Sequence, residues 1–136
     1  MAGYSGTPLP QKLGIKPGSR VTVLEAPAGF PGTLGPLPDS VILETNEVGW
    51  CDLLLFFTTS REQLAHQFPA LAQVIRPAGS LWIAWPKRAS GVATDLTENV
   101  VREIGLAAGL VDNKVCAIDE TWSGLRFVVR LKDRPS

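Results

Sequence analysis

The sequence predicts an α/β fold in which helices cover both faces of a mostly parallel sheet. Across residues 74–86, a helical run ends at a Pro-Ala-Gly turn and a strand follows at once. Residues 52–57 are apolar at every position after the first, as in a central strand that is buried on both sides. Strand-like and helix-like segments alternate through most of the chain, which is typical of parallel sheets.

The first half of the chain contains short elements. Residues 1–19 are rich in Gly, Pro and Ser and form an N-terminal extension in this interpretation. Residues 20–25 read as the first strand, and residues 41–44 as a short second strand. The prolines and glycines of residues 26–40 exclude a full helix, so only one or two helical turns are expected, over residues 30–34.

A long helix is predicted to open at Ser60, with Gln63 as its partner in a capping box. Pro69 interrupts this helix, so a kink or a restart is expected there. Its buried stripe is predicted from helical spacing to contain Leu64, Phe68, Leu71 and Ile75.

A further strand is predicted over residues 79–85, followed by a second helix that starts near Asp95 with Glu98 as its box partner. Gly109 is a left-handed stop for this helix. The buried face is predicted to contain Leu96, Val100, Ile104 and Ala107.

The chain closes with two strands, residues 110–118 and 125–131, joined by a hairpin-length loop. The complete pattern predicts a three-layer Rossmann-like sheet with an antiparallel strand at its C-terminal end. We expect a single domain over residues 1–136, with its core in residues 20–131.

Several segments of the second half resemble class I methyltransferases. Residues 50–56 are similar to the fourth strand of that family, and residues 77–79, with the strand after them, are similar to the fifth. Residues 108–110 and 126–130 are similar to its closing strands. The resemblance implies a methyltransferase topology.

The whole chain also resembles a small bacterial family of uncharacterised methyltransferase-like domains. The segments that carry this resemblance are residues 4–9, 12–16, 85–87, 90–97 and 119–124. That family brings no established activity, so the resemblance implies the fold and leaves the reaction open.

The first half departs from the methyltransferase pattern. The Gly-x-Gly that follows the first strand in methyltransferases is reduced to Gly29, and Pro27 removes a backbone donor. Only about six residues separate the second and third strands, so a helix–strand–helix segment is expected to be missing, since a parallel crossover needs about a dozen or more. If the cofactor S-adenosylmethionine binds, Glu44 and Gly29 are the residues expected to contact it.

Ligands of open parallel sheets bind at the carboxyl ends of the strands. The loop after Trp85 is basic and contains glycine, and it precedes a helix, so it is a candidate anion site. The simpler interpretation is that its charges are solvated and its hydroxyls cap helices. The candidate ligand-binding residues are Lys87, Ser90, Gly91, Thr94, Thr59 and Trp122.

Composition narrows the remaining function classes. The net charge is zero, which disfavours nucleic acid as a partner, and no apolar stretch has the length of a membrane span. Cys51 and Cys116 read as buried thiols, and the N-terminus carries no signal peptide, so a cytoplasmic protein is expected. His66 is expected to be exposed, and no spacing of metal ligands is present.

These observations predict a methyltransferase-like domain that is non-catalytic or binds a small anionic ligand. One alternative is a divergent methyltransferase that depends on S-adenosylmethionine; otherwise no cofactor is expected. A second alternative is a homo-oligomeric module that pairs through its terminal hairpin edge. No catalytic residue is assigned.

Overall fold

The computed structural model describes residues 7–134. Six strands form one mixed sheet in the order β2-β1-β3-β4-β6-β5. The strands are β1 (Arg20–Leu24), β2 (Ile42–Thr45), β3 (Cys51–Phe57), β4 (Ile75–Pro86), β5 (Leu110–Ala117) and β6 (Trp122–Val129). The helices are α1 (Leu9–Leu13), α2 (Phe30–Leu34), α3 (Arg61–Val74) and α4 (Glu98–Ala107), with 3-10 turns at Arg88–Ser90 and Leu131–Asp133.

Helices lie on both faces of the sheet and give two apolar cores. On one face, Phe68 of α3 and Val101 of α4 pack with Trp85. On the other face, α1 and α2 pack with Trp82. The two tryptophans are three residues apart on β4, so the alternation of a strand sends them to opposite faces, as the sequence predicts.

The short helix α1 is part of this second core. Its Leu13 is 1% exposed, and the Leu13 carbonyl accepts a 2.9 Å hydrogen bond from the indole Nε1 of the fully buried Trp82. Lys114 of β5 donates from Nζ to the Lys12 carbonyl at 2.8 Å. The N-terminal segment is therefore bonded to the middle of the sheet and to its edge.

Helix α3 begins where the sequence predicts, but its cap differs in detail. The Ser60 hydroxyl accepts from the Gln63 N–H at 3.1 Å. The Ser60 N–H donates to the Thr58 hydroxyl, which in turn donates to Gln63 Oε1 at 2.7 Å, so a reciprocal box does not form. Helix α3 runs unbroken past Pro69 to its end, so the expected restart there is wrong.

The Pro-Ala-Gly segment, residues 77–79, is a bulge inside β4 rather than a turn before that strand. β4 begins at Ile75, which pairs with Cys51, and the regular pairing resumes at Ser80 opposite Leu53. A Cβ atom at Gly79 would overlap the Asp52 carbonyl oxygen, so this close approach of two backbones requires glycine.

Helix α4 begins three residues later than predicted. Thr97 is its N-cap, and its hydroxyl accepts from the Val100 N–H at 3.2 Å. The carboxylate of Asp95 instead accepts from the Arg61 N–H at 2.7 Å, at the start of α3. The prediction of a cap at Asp95 is therefore wrong, because a partner distant in sequence takes this carboxylate.

The buried face of α4 is rotated from the predicted one. Val101 and Gly105 are buried, whereas Ala107 is exposed and Leu96 is buried but precedes the helix. Val100 and Ile104 are partly buried. Gly105 lies against the ring of Phe127, with no room for a side chain. The absence of a Cβ at Gly105 lets α4 approach the sheet closely.

The C-terminal hairpin is antiparallel, as predicted. Gly109 has a positive φ of 94° and ends the α4 turn in the left-handed region. β6 lies between β4 and β5 and pairs antiparallel with both. Trp122 belongs to β6 and not to the connecting loop.

The first half of the sheet confirms the shortened topology. β2 and β3 both pair in parallel with β1 from opposite sides. Within the described part of the chain, residues 46–50 alone connect β2 to β3, without a helix or strand between them. β2 is therefore a sheet edge, and its Ile42 and Leu43 are 48% and 40% exposed.

Candidate functional site

A cavity of about 610 Å³ lies beyond the carboxyl end of β4. It is lined by the loop that leads to α4, by Glu98 at the start of that helix and by Ser123 of β6. Of the predicted residues, Lys87, Gly91 and Thr94 line it. Ser123 enters because it pairs with Trp85 across the antiparallel β4–β6 ladder, a register that the sequence does not reveal.

Ser90 shapes the loop rather than the cavity wall. Its hydroxyl donates to the Lys87 carbonyl at 2.6 Å and accepts from the Val92 N–H at 3.2 Å. Gly91 follows in the left-handed region with φ 78°, which lets the chain reverse after the 3-10 turn. The two residues therefore fix the loop that carries Lys87 and Arg88.

Thr94 joins the two loops that precede α3 and α4. Its hydroxyl donates to the Thr59 carbonyl at 2.6 Å and accepts from the Leu96 N–H at 3.1 Å. Thr59 itself is exposed and contributes its backbone to this contact. One hydrogen bond therefore brings these two candidate residues together.

The cavity wall carries charges of both signs. Lys87 donates from Nζ to the Asp119 carbonyl at 2.8 Å, and Arg88 is exposed on the 3-10 turn. The Glu98 carboxylate pairs with Arg102 at 2.8 Å. Hydrogen bonds from Arg102 to Glu98 and Asp112 raise the pKa of its guanidinium.

Trp122 is not among the residues that line this cavity. Its ring packs edge-on against Phe57 with a centroid distance of 5.1 Å, and Phe57 packs in the same way against Phe30 at 5.0 Å. Phe57 ends β3 and Phe30 begins α2, so the three rings pack together at the carboxyl end of β3.

The loop after β1 has an unusual backbone. Glu25 and Asn46, which directly follow β1 and β2, both have positive φ values, 58° and 57°. The Glu25 N–H donates to Asn46 Oδ1 at 3.1 Å, so this donor at the end of β1 already has a partner. Gly29 is also left-handed and precedes α2.

Glu44 of β2 forms an ion pair with a residue of the neighbouring strand β1. Its carboxylate pairs with the Arg20 guanidinium at 2.6 Å. Both side chains are about one third exposed or more, so this pair is worth little to stability. The pair nevertheless places a cation beside the carboxylate that the resemblance implies would contact S-adenosylmethionine.

Other site types receive no support from the described residues. Within residues 7–134, no three His, Cys, Asp or Glu side chains group together as metal ligands. His66 is exposed on α3. The helices described in residues 7–134 include none that is long and apolar enough to cross a membrane.

The architecture matches solved methyltransferase structures. An S-adenosylmethionine-dependent methyltransferase from Aquifex aeolicus superposes with a TM-score of 0.61, over 88% of this chain and 87% of that one, at 17% identity. The Methanococcus jannaschii fibrillarin pre-rRNA processing protein gives a TM-score of 0.60, over 93% and 70%, at 15% identity.

A third similar structure is the magnesium protoporphyrin IX methyltransferase of Synechocystis with bound S-adenosylhomocysteine. Its TM-score is 0.57, over 90% of this chain and 78% of that one, at 11% identity. No family model and no curated protein sequence matches the chain. The chain has a class I methyltransferase-like fold, and identities this low show the fold alone.

The residues at the β1 and β2 ends do not fit S-adenosylmethionine in the way that the resemblance implies. The Gly-x-Gly is absent, the Glu25 N–H is bonded to Asn46, and Glu44 is bonded to Arg20. A cofactor that approaches bare backbone after β1 would have to displace the hydrogen bond between Glu25 and Asn46. A cofactor that binds through Glu44 would have to displace its ion pair with Arg20.

Proposed function

We propose that this chain is a non-catalytic ligand-binding domain on a methyltransferase-like fold, and that it binds a small anionic ligand in the cavity beyond β4. The cavity volume of about 610 Å³ lies within the range of about 300–1,000 Å³ that is usual for small-molecule sites. The observation that carries the proposal concerns the charged side chains of the cavity wall. The acidic ones already have partners, whereas the basic ones form no ion pair within residues 7–134.

Both carboxylates of the wall already have partners. Asp95 accepts from the Arg61 N–H at the start of α3, where the helix dipole favours a negative charge. Glu98 is paired with Arg102. Neither carboxylate is within bonding distance of Lys87 or Arg88 among the described residues, so neither neutralises these two cations.

The cations of the wall form no ion pair within residues 7–134. Lys87 is bonded to a neutral carbonyl, and Arg88 has no ion pair within residues 7–134. Guanidinium and ammonium groups both suit a carboxylate or phosphate group, because charge-assisted hydrogen bonds are the stronger ones. The hydroxyls of Thr94, Thr97 and Ser123 add polar groups to the same wall.

The contacts at the neighbouring edge support a domain without the usual cofactor. The rings of Phe30, Phe57 and Trp122 pack together there, and the Glu25–Asn46 bond uses a donor of the first loop. At the carboxyl ends of β1 and β3, these groups therefore contact one another, whereas the cavity beyond β4 has room for a ligand.

A second candidate, a divergent S-adenosylmethionine-dependent methyltransferase, is favoured by one observation. Two non-glycine residues with positive φ, Glu25 and Asn46, meet at the edge where methyltransferases bind this cofactor. Backbone conformations of this kind cost energy and are often kept at functional sites.

Anion titration followed by ¹⁵N NMR tests the first candidate. Citrate and phosphate should shift the amide signals of Gly91 and Thr94 saturably, and Arg88→Gln should weaken this binding by about tenfold, the value of one charge-assisted hydrogen bond. Lys132→Gln, an exposed charge outside the cavity, is the control and should bind as the wild type does.

Calorimetric titration with S-adenosylmethionine separates the two candidates. We expect no binding at millimolar concentration. Saturable binding that shifts the signals around Glu25 and Asn46 would overturn the first candidate and support the second. Unchanged Gly91 and Thr94 signals with every anion would remove the anion site.

A further inference from the structure

A second cavity lies at the opposite, amino-terminal edge of the sheet. Its volume is about 210 Å³, and it is formed by the segment before β1, the start of β3, the Gly79 bulge of β4 and the middle of β6. Its polar lining contains Lys16, Ser19, Asp52, Arg76, Ser80 and Arg126. The sheet separates this edge from the cavity beyond β4, so the two sites can be tested independently.

Three cations face one carboxylate in this lining. Both oxygens of Asp52 have a partner, because Oδ1 pairs with Arg76 Nε at 3.0 Å and Oδ2 accepts from the Arg20 N–H at 2.8 Å. Lys16 and Arg126 form no ion pair within residues 7–134. The cavity therefore carries two positive charges that the described residues leave unneutralised.

Arg126 carries one of these two charges. Its Nε is buried, and no acceptor among the described residues lies within hydrogen-bond distance. Because Nε has almost no accessible surface, only the terminal nitrogens of the guanidinium can meet a ligand in the cavity. Arg126 reaches the cavity from β6, on the same sheet face as its cross-strand neighbour Trp82.

The size and polarity of the cavity define the partner. A volume of about 210 Å³ is below the usual range for drug-sized ligands, about 300–1,000 Å³, so a nucleotide or a sugar chain is too large. The planar fork of a guanidinium suits the oxygens of an oxyanion, and serine hydroxyls complete such sites.

We propose that this cavity binds a small dianionic oxyanion of the phosphate or sulfate type, with Arg126 and Lys16 as its charged contacts. The Ser80 hydroxyl, on a residue that is 3% exposed, and the Gly79 bulge form the floor of the site. The donors for the oxyanion are the terminal guanidinium nitrogens of Arg126, because Nε has almost no surface that a ligand atom could reach. Nothing in this site depends on the ligand proposed for the cavity beyond β4.

Phosphate and sulfate titrations followed at the Gly79 and Ser80 amides test the site. Both signals should shift saturably, and sodium chloride at equal ionic strength should not reproduce the shift. Arg126→Gln should weaken binding by about tenfold or more, since it removes a charge-assisted contact. The matched control is Arg130→Gln: Arg130 also has a buried Nε without a partner but does not line the cavity, so its loss should leave binding unchanged.

Lys16→Gln keeps the test decisive if Arg126→Gln fails to fold, because Lys16 is exposed and its replacement does not disturb the core. This variant should weaken phosphate binding several-fold. The proposal is overturned if wild-type protein shows no saturable shift at Gly79 and Ser80, or if Lys16→Gln and every folded Arg126 variant bind as the wild type does. Arg88→Gln should leave these signals unchanged, which distinguishes this site from the cavity beyond β4.

Discussion

Gly105 is the residue at which α4 comes close to the sheet, and its replacement is informative. In Gly105→Ala, the added Cβ would overlap the ring of Phe127. Overpacking costs about 1–3 kcal/mol, which should outweigh the roughly 1 kcal/mol by which alanine favours a helix. We expect a net loss in the free energy of unfolding, measured by urea denaturation.

The control for that substitution is Gly32→Ala in α2. A Cβ at Gly32 meets nothing within 4 Å, and its φ is not in the left-handed region. It should therefore leave stability unchanged or raise it by up to about 1 kcal/mol. Equal effects of the two substitutions would contradict the packing argument.

Cys51 gives the molecule a dependence of stability on pH. Burial raises the pKa of its thiol, which is 0% exposed. Below the unfolded thiol pKa of about 8.5, both states are protonated and this contribution to stability is complete. Above it, the thiol of the unfolded chain loses its proton first. Stability therefore falls until the pH passes the raised pKa of the thiol in the folded state.

The measurement compares Cys116→Ala with Cys51→Ala/Cys116→Ala from pH 8 to pH 10. The second cysteine is removed because burial raises its pKa too. The single variant should lose stability more steeply with pH, by at most about 1.4 kcal/mol per unit. Parallel profiles would show that Cys51 is not the group responsible.

At the scale of elements, local signals predicted the start of α3 and the stop of α4, and a partner distant in sequence explains the missed start of α4. Ser60 and Gly109 act as start and stop because their partners are within a few residues. The predicted cap of α4 is Asp95, and the observed cap is Thr97. The Asp95 carboxylate accepts a hydrogen bond from the Arg61 backbone N–H, 34 residues away in sequence, and no local pattern reveals that contact.

The true cap of α4 should be measurable. Thr97→Ala removes the acceptor for the Val100 N–H and should cost about 1 kcal/mol of unfolding free energy. Thr97→Ser keeps the hydroxyl and should retain most of the stability in chemical denaturation. A serine variant as unstable as the alanine variant would instead point to the threonine methyl group.

The residues of the candidate site likewise fall into two groups: those that the local sequence predicts and those that only tertiary packing brings to the site. Lys87, Gly91 and Thr94 were predicted because one continuous loop carries them all. Ser123 was missed because it enters through the register of β4 with β6, which depends on tertiary packing. Arg126 was missed for a related reason, since only the folded sheet places it beside Lys16.

For the molecule as a whole, the five-residue link before β3 leaves β2 as an uncovered edge. Ile42 and Leu43 are exposed there, and exposed apolar edge strands promote aggregation. Leu43→Lys should slow aggregation, followed by light scattering at elevated temperature, and should change the unfolding free energy little because Leu43 is 40% exposed.

The opposite edge supplies the comparison. β5 carries Asp112 and Lys114 beside a shift in its register, features that hinder strand addition. Val115→Lys on β5, where the side chain is 51% exposed, should therefore alter aggregation less than Leu43→Lys does. A larger effect on β5 would mean that the hairpin edge, not β2, is where chains associate.

The bond between the Leu13 carbonyl and Trp82 has a consequence for how the chain can be divided. A fragment that starts at Arg20 would leave a fully buried indole N–H without an acceptor and would uncover the apolar face beneath α1. The smallest autonomously folding unit therefore starts at or before Leu9. Because Trp82 is buried in the intact protein, its fluorescence should shift to longer wavelength whenever this segment detaches, giving an intrinsic optical reporter of that event.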